Sequence, residues 1–135
     1  MTAAGIPDSL RTMPEPEYYW LYILQVKNGN YYTGYTSNLA RRYREHVIGT
    51  GGCKYTRAFP PMKIARSWKI FADKGVLLKI ESLIKRQQRK GKTLLIDNPE
   101  SLEELVWTKL NFKLKIESPA AAYIKTINLK GGDNC

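Results

Sequence analysis

The pair Asn28-Gly29 lies between two short runs of β-branched and aromatic residues, and nothing else in the sequence constrains the fold as much. Leu21 to Lys27 (LYILQVK) suits one strand and Asn30 to Thr36 (NYYTGYT) suits the returning one. Asn-Gly between such runs is the strongest short-range signal for a β-hairpin. Thr36 or Ser37 then caps a helix in which Leu39, Tyr43 and Val47 recur at i, i+4 and i+8 on one face. Arg42 and His46 are also four apart, so they share a face beside that apolar stripe. The hairpin thus sets Tyr22 and Tyr32 on paired strands, next to an arginine and the single histidine of the chain.

In order, Leu21-Tyr22-Ile23, Tyr32-Thr33-Gly34, Arg42 and His46 resemble the motif of the GIY-YIG nuclease superfamily, especially its small stand-alone bacterial branch. GCKYTR at Gly52 to Arg57, the pair Pro60-Pro61, and Glu81 in LLKIESLIKR continue the resemblance, which spans about Tyr18 to Ile96. The departures lie in the namesake triplets, where Leu21 stands for the first glycine and Thr33 for the middle isoleucine. The resemblance implies a small α/β domain with a three-stranded, mainly antiparallel sheet flanked by helices. It also implies an endonuclease that hydrolyses DNA phosphodiester bonds with Mg²⁺ or Mn²⁺. Relatives of this kind serve repair, recombination, restriction and mobile elements.

The implied catalytic set is Tyr22, Tyr32, Arg42, His46 and Glu81, with Glu81 as the metal ligand. Hard divalent cations take oxygen ligands and keep several waters, so one carboxylate suffices. Taken alone, Glu81 also reads as an i, i+4 surface pair with Lys85. Tyr22 is the general base or the group that orients the attacking water. A free phenol has a pKa near ~10, so a phenolate at neutral pH needs a nearby cation. Arg42 supplies such a charge and a bidentate fork for the scissile phosphate. Tyr32 reaches the same phosphate or its water. His46 serves as a proton relay, a phosphate contact, or a structural residue beside the apolar stripe.

Charge supports a polyanionic partner. The net charge is +10, yet residues 18–96 hold 16 Lys/Arg against only Glu45, Asp73 and Glu81, a net of +13 in the segment that carries the motif. Arg41, Arg44, Lys54, Thr56, Arg57, Lys85, Arg86 and Arg89 are the expected nucleic-acid contacts, and binding is expected to weaken steeply with salt. DNA is favoured over RNA through the resemblance, since phosphate attraction does not identify the sugar. The alternative is a non-catalytic nucleic-acid-binding or partner-docking module.

The rest of the chain divides around this segment. Residues 1–17 read as a flexible N-terminal arm and 18–96 as the nuclease-like domain. Residues 97–135 read as a C-terminal helix with a β-hairpin extension that offers a surface for a protein partner or a second copy. Ile48 to Pro61 is a Gly-rich basic connection, and Met62 to Phe71 a third strand with room for a bulge around Ala65–Ser67. Gly75 to Arg86 is a helix, Arg86 to Lys92 a basic turn, and Thr93 to Ile96 a short helix. Ser101 and Glu104 match a capping box for a helix to about Leu110. FKLKI (112–116) and YIKTINL (123–129) alternate like strands. Cys53 and Cys135 lack zinc-ligand spacing, and the terminal place of Cys135 disfavours a disulfide between them. No run approaches a membrane span or signal-peptide core, so a soluble cytoplasmic protein is expected.

Overall fold

The computed structural model describes residues 18–119 and 124–128. The expected N-terminal arm and Cys135 lie outside the described residues. Four strands form one antiparallel sheet: β1 (Tyr19–Val26), β2 (Tyr31–Thr36), β3 (Pro61–Phe71) and β4 (Lys115–Glu117), in the order β2-β1-β3-β4. Between them lie α1 (Leu39–Ile48), α2 (Lys54–Ala58), α3 (Lys74–Arg86), α4 (Arg89–Asp97) and α5 (Ser101–Leu110).

Strand β1 is buried without a break from Trp20 to Leu24 because helices cover both faces of the sheet. Its alternate residues therefore feed two cores. Leu21 and Ile23 join Trp68 and Ile70 of β3 and pack against Leu77, Ile80 and Ile84 of α3. Trp20, Tyr22, Leu24 and Val26 point the other way, toward Leu39 and Tyr43 of α1. This parity puts Tyr22 on the α1 face.

The hairpin forms where Asn28-Gly29 predicts it. A two-residue type I′ loop needs positive φ at both central residues. Here Gly29 has φ 85° while Asn28 does not share the left-handed region. Gly29 N donates to Val26 O (2.8 Å) and Val26 N to Asn30 O (3.0 Å), the pattern of a type I turn closed by a glycine bulge. The cap of α1 is Asn38, whose side chain accepts from Arg41 N (3.1 Å), rather than Thr36 or Ser37. Thr36 instead bonds the backbone of Asn38. The expected bulge in β3 appears as a register shift, with Ile23 opposite Arg66 and Leu24 opposite Ile64.

Five readings of the later chain change. Lys54–Ala58 is helical inside the connection expected to be a loop, and α4 begins at Arg89, within the stretch expected to be a basic turn. Ser101 lies inside α5 and its Oγ donates to Asn98 O (2.6 Å), so no capping box forms. The fourth strand comes from the tail, where Phe112, Leu114 and Ile116 pack on the core beside β3. Residues 124–128 are helical, not extended. Ile124 and Ile127, three apart, meet the α1-side core together, and Asn128 Oδ1 accepts from Ile64 N (2.8 Å).

Among the described residues, those beyond 97 pack against 18–96. Leu102 and Val106 of α5 are buried in the same cluster as Trp68, whose Nε1 donates to Pro99 O (2.9 Å). Arg66 Nε donates to Ile96 O (2.8 Å), fixing the α4–α5 junction to β3.

Candidate active site

Tyr22 lies opposite Gly34 in the β1–β2 register, and its phenol occupies the space a side chain there would need. A Cβ at Gly34 would stand 2.6 Å from Tyr22 Oη and 2.7 Å from Cζ. The ring crosses the glycine toward α1, where Oη meets His46 Nε2 at 2.8 Å. His46 Nδ1 lies 2.8 Å from Thr56 Oγ1, which donates to Cys53 O (3.4 Å). A hydroxyl has one proton to give. Thr56 gives its proton to the carbonyl and accepts from His46, which assigns the imidazole proton to Nδ1. The Nε2 lone pair then accepts from the Tyr22 hydroxyl.

Burial sets the protonation of this chain of bonds. It pushes the Tyr22 phenol up to about 12, although the hydrogen bond and charge of Arg42 pull the other way. It pushes His46 down to about 4, with the Arg42 charge adding to the effect and Glu45 opposing it. At neutral pH both groups are uncharged. Tyr32 is also raised, by burial first and then by the Cys53 side chain. The Cys53 thiol falls below its ordinary value: burial opposes this, but the Thr56 hydroxyl proton, shared between the Cys53 carbonyl and sulfur, together with Tyr32 and the backbone N–H groups of Tyr55 and Thr56, outweighs it.

Arg42 reaches the cluster from α1. Its Nη1 donates to Glu45 Oε1 (2.9 Å) and to Gly51 O (3.2 Å), which fixes one arm of the fork. The ion pair keeps Arg42 cationic against the opposing effect of burial, and the same guanidinium draws the Glu45 carboxyl down. Tyr32 stands edge-on to His46 with ring centroids 5.3 Å apart. Glu81 lies within electrostatic reach of the Tyr22 phenol, and its Oε2 is 3.6 Å from Lys85 Nζ.

Access sorts these residues into two layers. Tyr22 and His46 are 2% and 1% exposed, whereas Tyr32, Arg42 and Glu81 are only partly covered. With both ring nitrogens bonded, His46 has none left for a phosphate. Thr56, expected among the nucleic-acid contacts, is buried beneath His46 and supports the imidazole instead. Arg41, Arg44, Lys54, Arg57 and Arg86 are exposed, while Lys85 and Arg89 line a cleft with Tyr32. Glu45 and Cys53 escaped the sequence reading. The first was legible as a helical i, i+3 partner of Arg42; nothing local marks the second.

Among the described residues no three His, Cys, Asp or Glu side chains converge. A dedicated all-protein cage is therefore lacking there, but a hydrated Mg²⁺ is held by one or two carboxylates, and Glu81 is a part-buried carboxylate within electrostatic reach of the phenol.

The chain is similar to known proteins over the segment that holds these residues. The chain matches the GIY-YIG catalytic domain over residues 18–94. A UPF0213 protein of Xanthomonas campestris pv. campestris is 40% identical over 80 residues, covering 59% of this chain and 76% of the relative. A UPF0213 protein of Halalkalibacterium halodurans is 36% identical over 78 residues, covering 58% and 81%. A UPF0213 protein of Fusobacterium nucleatum is 31% identical over 97 residues, covering 72% and 95%. No solved structure matches.

Proposed function

The chain belongs to the GIY-YIG catalytic-domain family, and on that premise we propose that it is an endonuclease that cleaves DNA phosphodiester bonds with a divalent metal ion. The observation that carries this reading is the Tyr22 hydroxyl, held 2.8 Å from His46 Nε2 within electrostatic reach of Arg42 and Glu81. A phosphate entering from solvent meets Arg42, Tyr32 and Glu81 first, with Tyr22 behind them. A guanidinium has five N–H donors, so Arg42 keeps some for the phosphate while Glu45, Gly51 and Tyr22 engage others.

The phenol and the imidazole cannot exchange a proton unaided. The gap between about 12 and about 4 is worth on the order of 10 kcal/mol, at about 1.36 kcal/mol for each pH unit. Tyr22 therefore acts at rest as a neutral group that orients water, with His46 fixing the direction of its hydroxyl. Glu81 would hold Mg²⁺ or Mn²⁺, which supplies positive charge for the phosphate and acidifies bound water. That charge would also lower the phenol's pKa, so Tyr22 would lose its proton more readily and be available as a phenolate base when the site is loaded.

The test is cleavage of labelled single-stranded, duplex and branched DNA in Mg²⁺, Mn²⁺ or EDTA. Wild-type protein is expected to cut in either metal and not in EDTA. Glu81→Ala and Tyr22→Phe are expected to lose that activity while remaining folded. Cutting that survives Glu81→Ala would remove the proposed metal ligand.

A further inference from the structure

Strand β2 is an edge of the sheet, and a cleft of about 460 Å³ opens along it beside the candidate active site. Tyr31, Tyr32 and Tyr55 line it together with Lys85, Arg89 and Lys92 from α3 and α4. Thr33 lines it too; the residue is 4% exposed and its Oγ1 has no hydrogen-bond partner. A buried hydroxyl is ordinarily bonded, so this unpartnered one, closed off just beneath the cleft wall, is a group that a ligand atom would satisfy once the side chain rotates toward the cleft.

The aromatic residues extend outward from the site in sequence. His46 packs against Tyr32, Tyr32 lies 5.9 Å from Tyr55, and Tyr55 lies 5.3 Å from Phe59, centroid to centroid. Tyr55 in α2 and Phe59, the residue that follows α2, are each 38% exposed. Arg89 is fixed near the cleft: Nη1 donates to Gly29 O (2.8 Å) and its guanidinium sits 4.8 Å from the Tyr31 ring centroid. Exposed rings take a base by its face, cations take phosphates, and a hydroxyl takes a polar base edge. A duplex presents its phosphates to such a surface but keeps its base faces stacked inside. The volume falls within the range of about 300–1,000 Å³ typical of small-molecule sites, which suits a nucleotide rather than a double helix.

We propose that this cleft binds an unpaired DNA strand next to the cleaved phosphate, making single-stranded or locally unpaired DNA the substrate. The reference to cleavage rests on the nuclease reading above; the stacking does not.

Binding is therefore measured without turnover, by fluorescence anisotropy in EDTA at fixed salt. The probes are a labelled oligodeoxythymidine of about 15 nucleotides, within the site sizes known for single strands, and a duplex of the same length. Wild type is expected to prefer the single strand. Tyr55→Ala is expected to weaken single-strand binding by about ten- to a hundredfold and duplex binding by less than about twofold, with Tyr55→Trp restoring it. Thr33→Val, which keeps the side-chain volume, is expected to lower single-strand affinity while raising thermal stability. Equal binding of both probes by wild type, or unchanged single-strand affinity in both Tyr55→Ala and Thr33→Val, would overturn the proposal. Selective single-strand binding with no cutting of any DNA in Mg²⁺ would remove the nuclease reading and leave the cleft assigned. Cutting of duplex alone would overturn the cleft and leave the nuclease.

Discussion

His46 illustrates how burial turns an ordinary titrating group into a fixed acceptor. Free histidine protonates near about 6.5, whereas His46 resists until about 4. Between those values the unfolded chain binds a proton that the folded chain refuses, so stability falls as pH drops through that window and is complete above it. The full effect is roughly 3 kcal/mol. Replacing His46 by glutamine is expected to flatten the difference between urea midpoints measured at pH 4.5 and 7.5. An unchanged difference would mean that His46 titrates normally. Gly34 carries a second residue-level consequence. A methyl group there overlaps Tyr22 Oη, so Gly34→Ala is expected to displace the phenol from His46. A misplacement of about 1 Å costs on the order of a hundredfold in turnover, to be compared with wild type in the cleavage assay and with the thermal midpoint as control. The sequence shows that a glycine stands at this position. That the Tyr22 ring lies over it follows from the register of two strands.

At the scale of elements, α2 was the least legible. Five residues cannot sustain a helix by propensity, and its sequence, KYTRA, has only one buried side chain, Thr56. That residue anchors the helix under the site through His46 and the Cys53 carbonyl. Thr56→Val removes the acceptor of a buried imidazole N–H, which is expected to cost about 1–3 kcal/mol in urea denaturation. Serine at the same position, keeping the hydroxyl, is expected to recover most of it. The 124–128 segment deceived for a related reason. Its alternation suits a strand, yet Ile124 and Ile127 suit a helix equally, and a short segment takes the form that the core face beside Ile64 accepts. By contrast α3 was plain from sequence, because Leu77, Ile80 and Ile84 repeat over thirteen residues at helical spacing.

For the whole molecule, the division at residue 97 is a division of sequence more than of packing. Truncation after Asp97 removes Leu102 and Val106 from the main core, the Pro99 acceptor of Trp68, and β4. Each buried aliphatic lost from a core costs about 2–5 kcal/mol, a large share of the 5–15 kcal/mol that keeps a typical domain folded. The truncated chain is expected to lose its cooperative thermal transition by circular dichroism, and a sharp wild-type-like melt would refute this. Among the described residues no helix is long and apolar enough to cross a membrane. The sequence by itself determined the hairpin, the helix that follows it and the basic balance of 18–96. These are local or compositional properties, set by turn chemistry, side-chain period and charge. Only the tertiary structure decided which of Tyr22, Tyr32, Arg42, His46 and Glu81 stay behind the others, that Thr56 faces a histidine rather than solvent, and that the tail completes the core. Those outcomes depend on strand register and on which helix covers which face, and neither is encoded within any one segment.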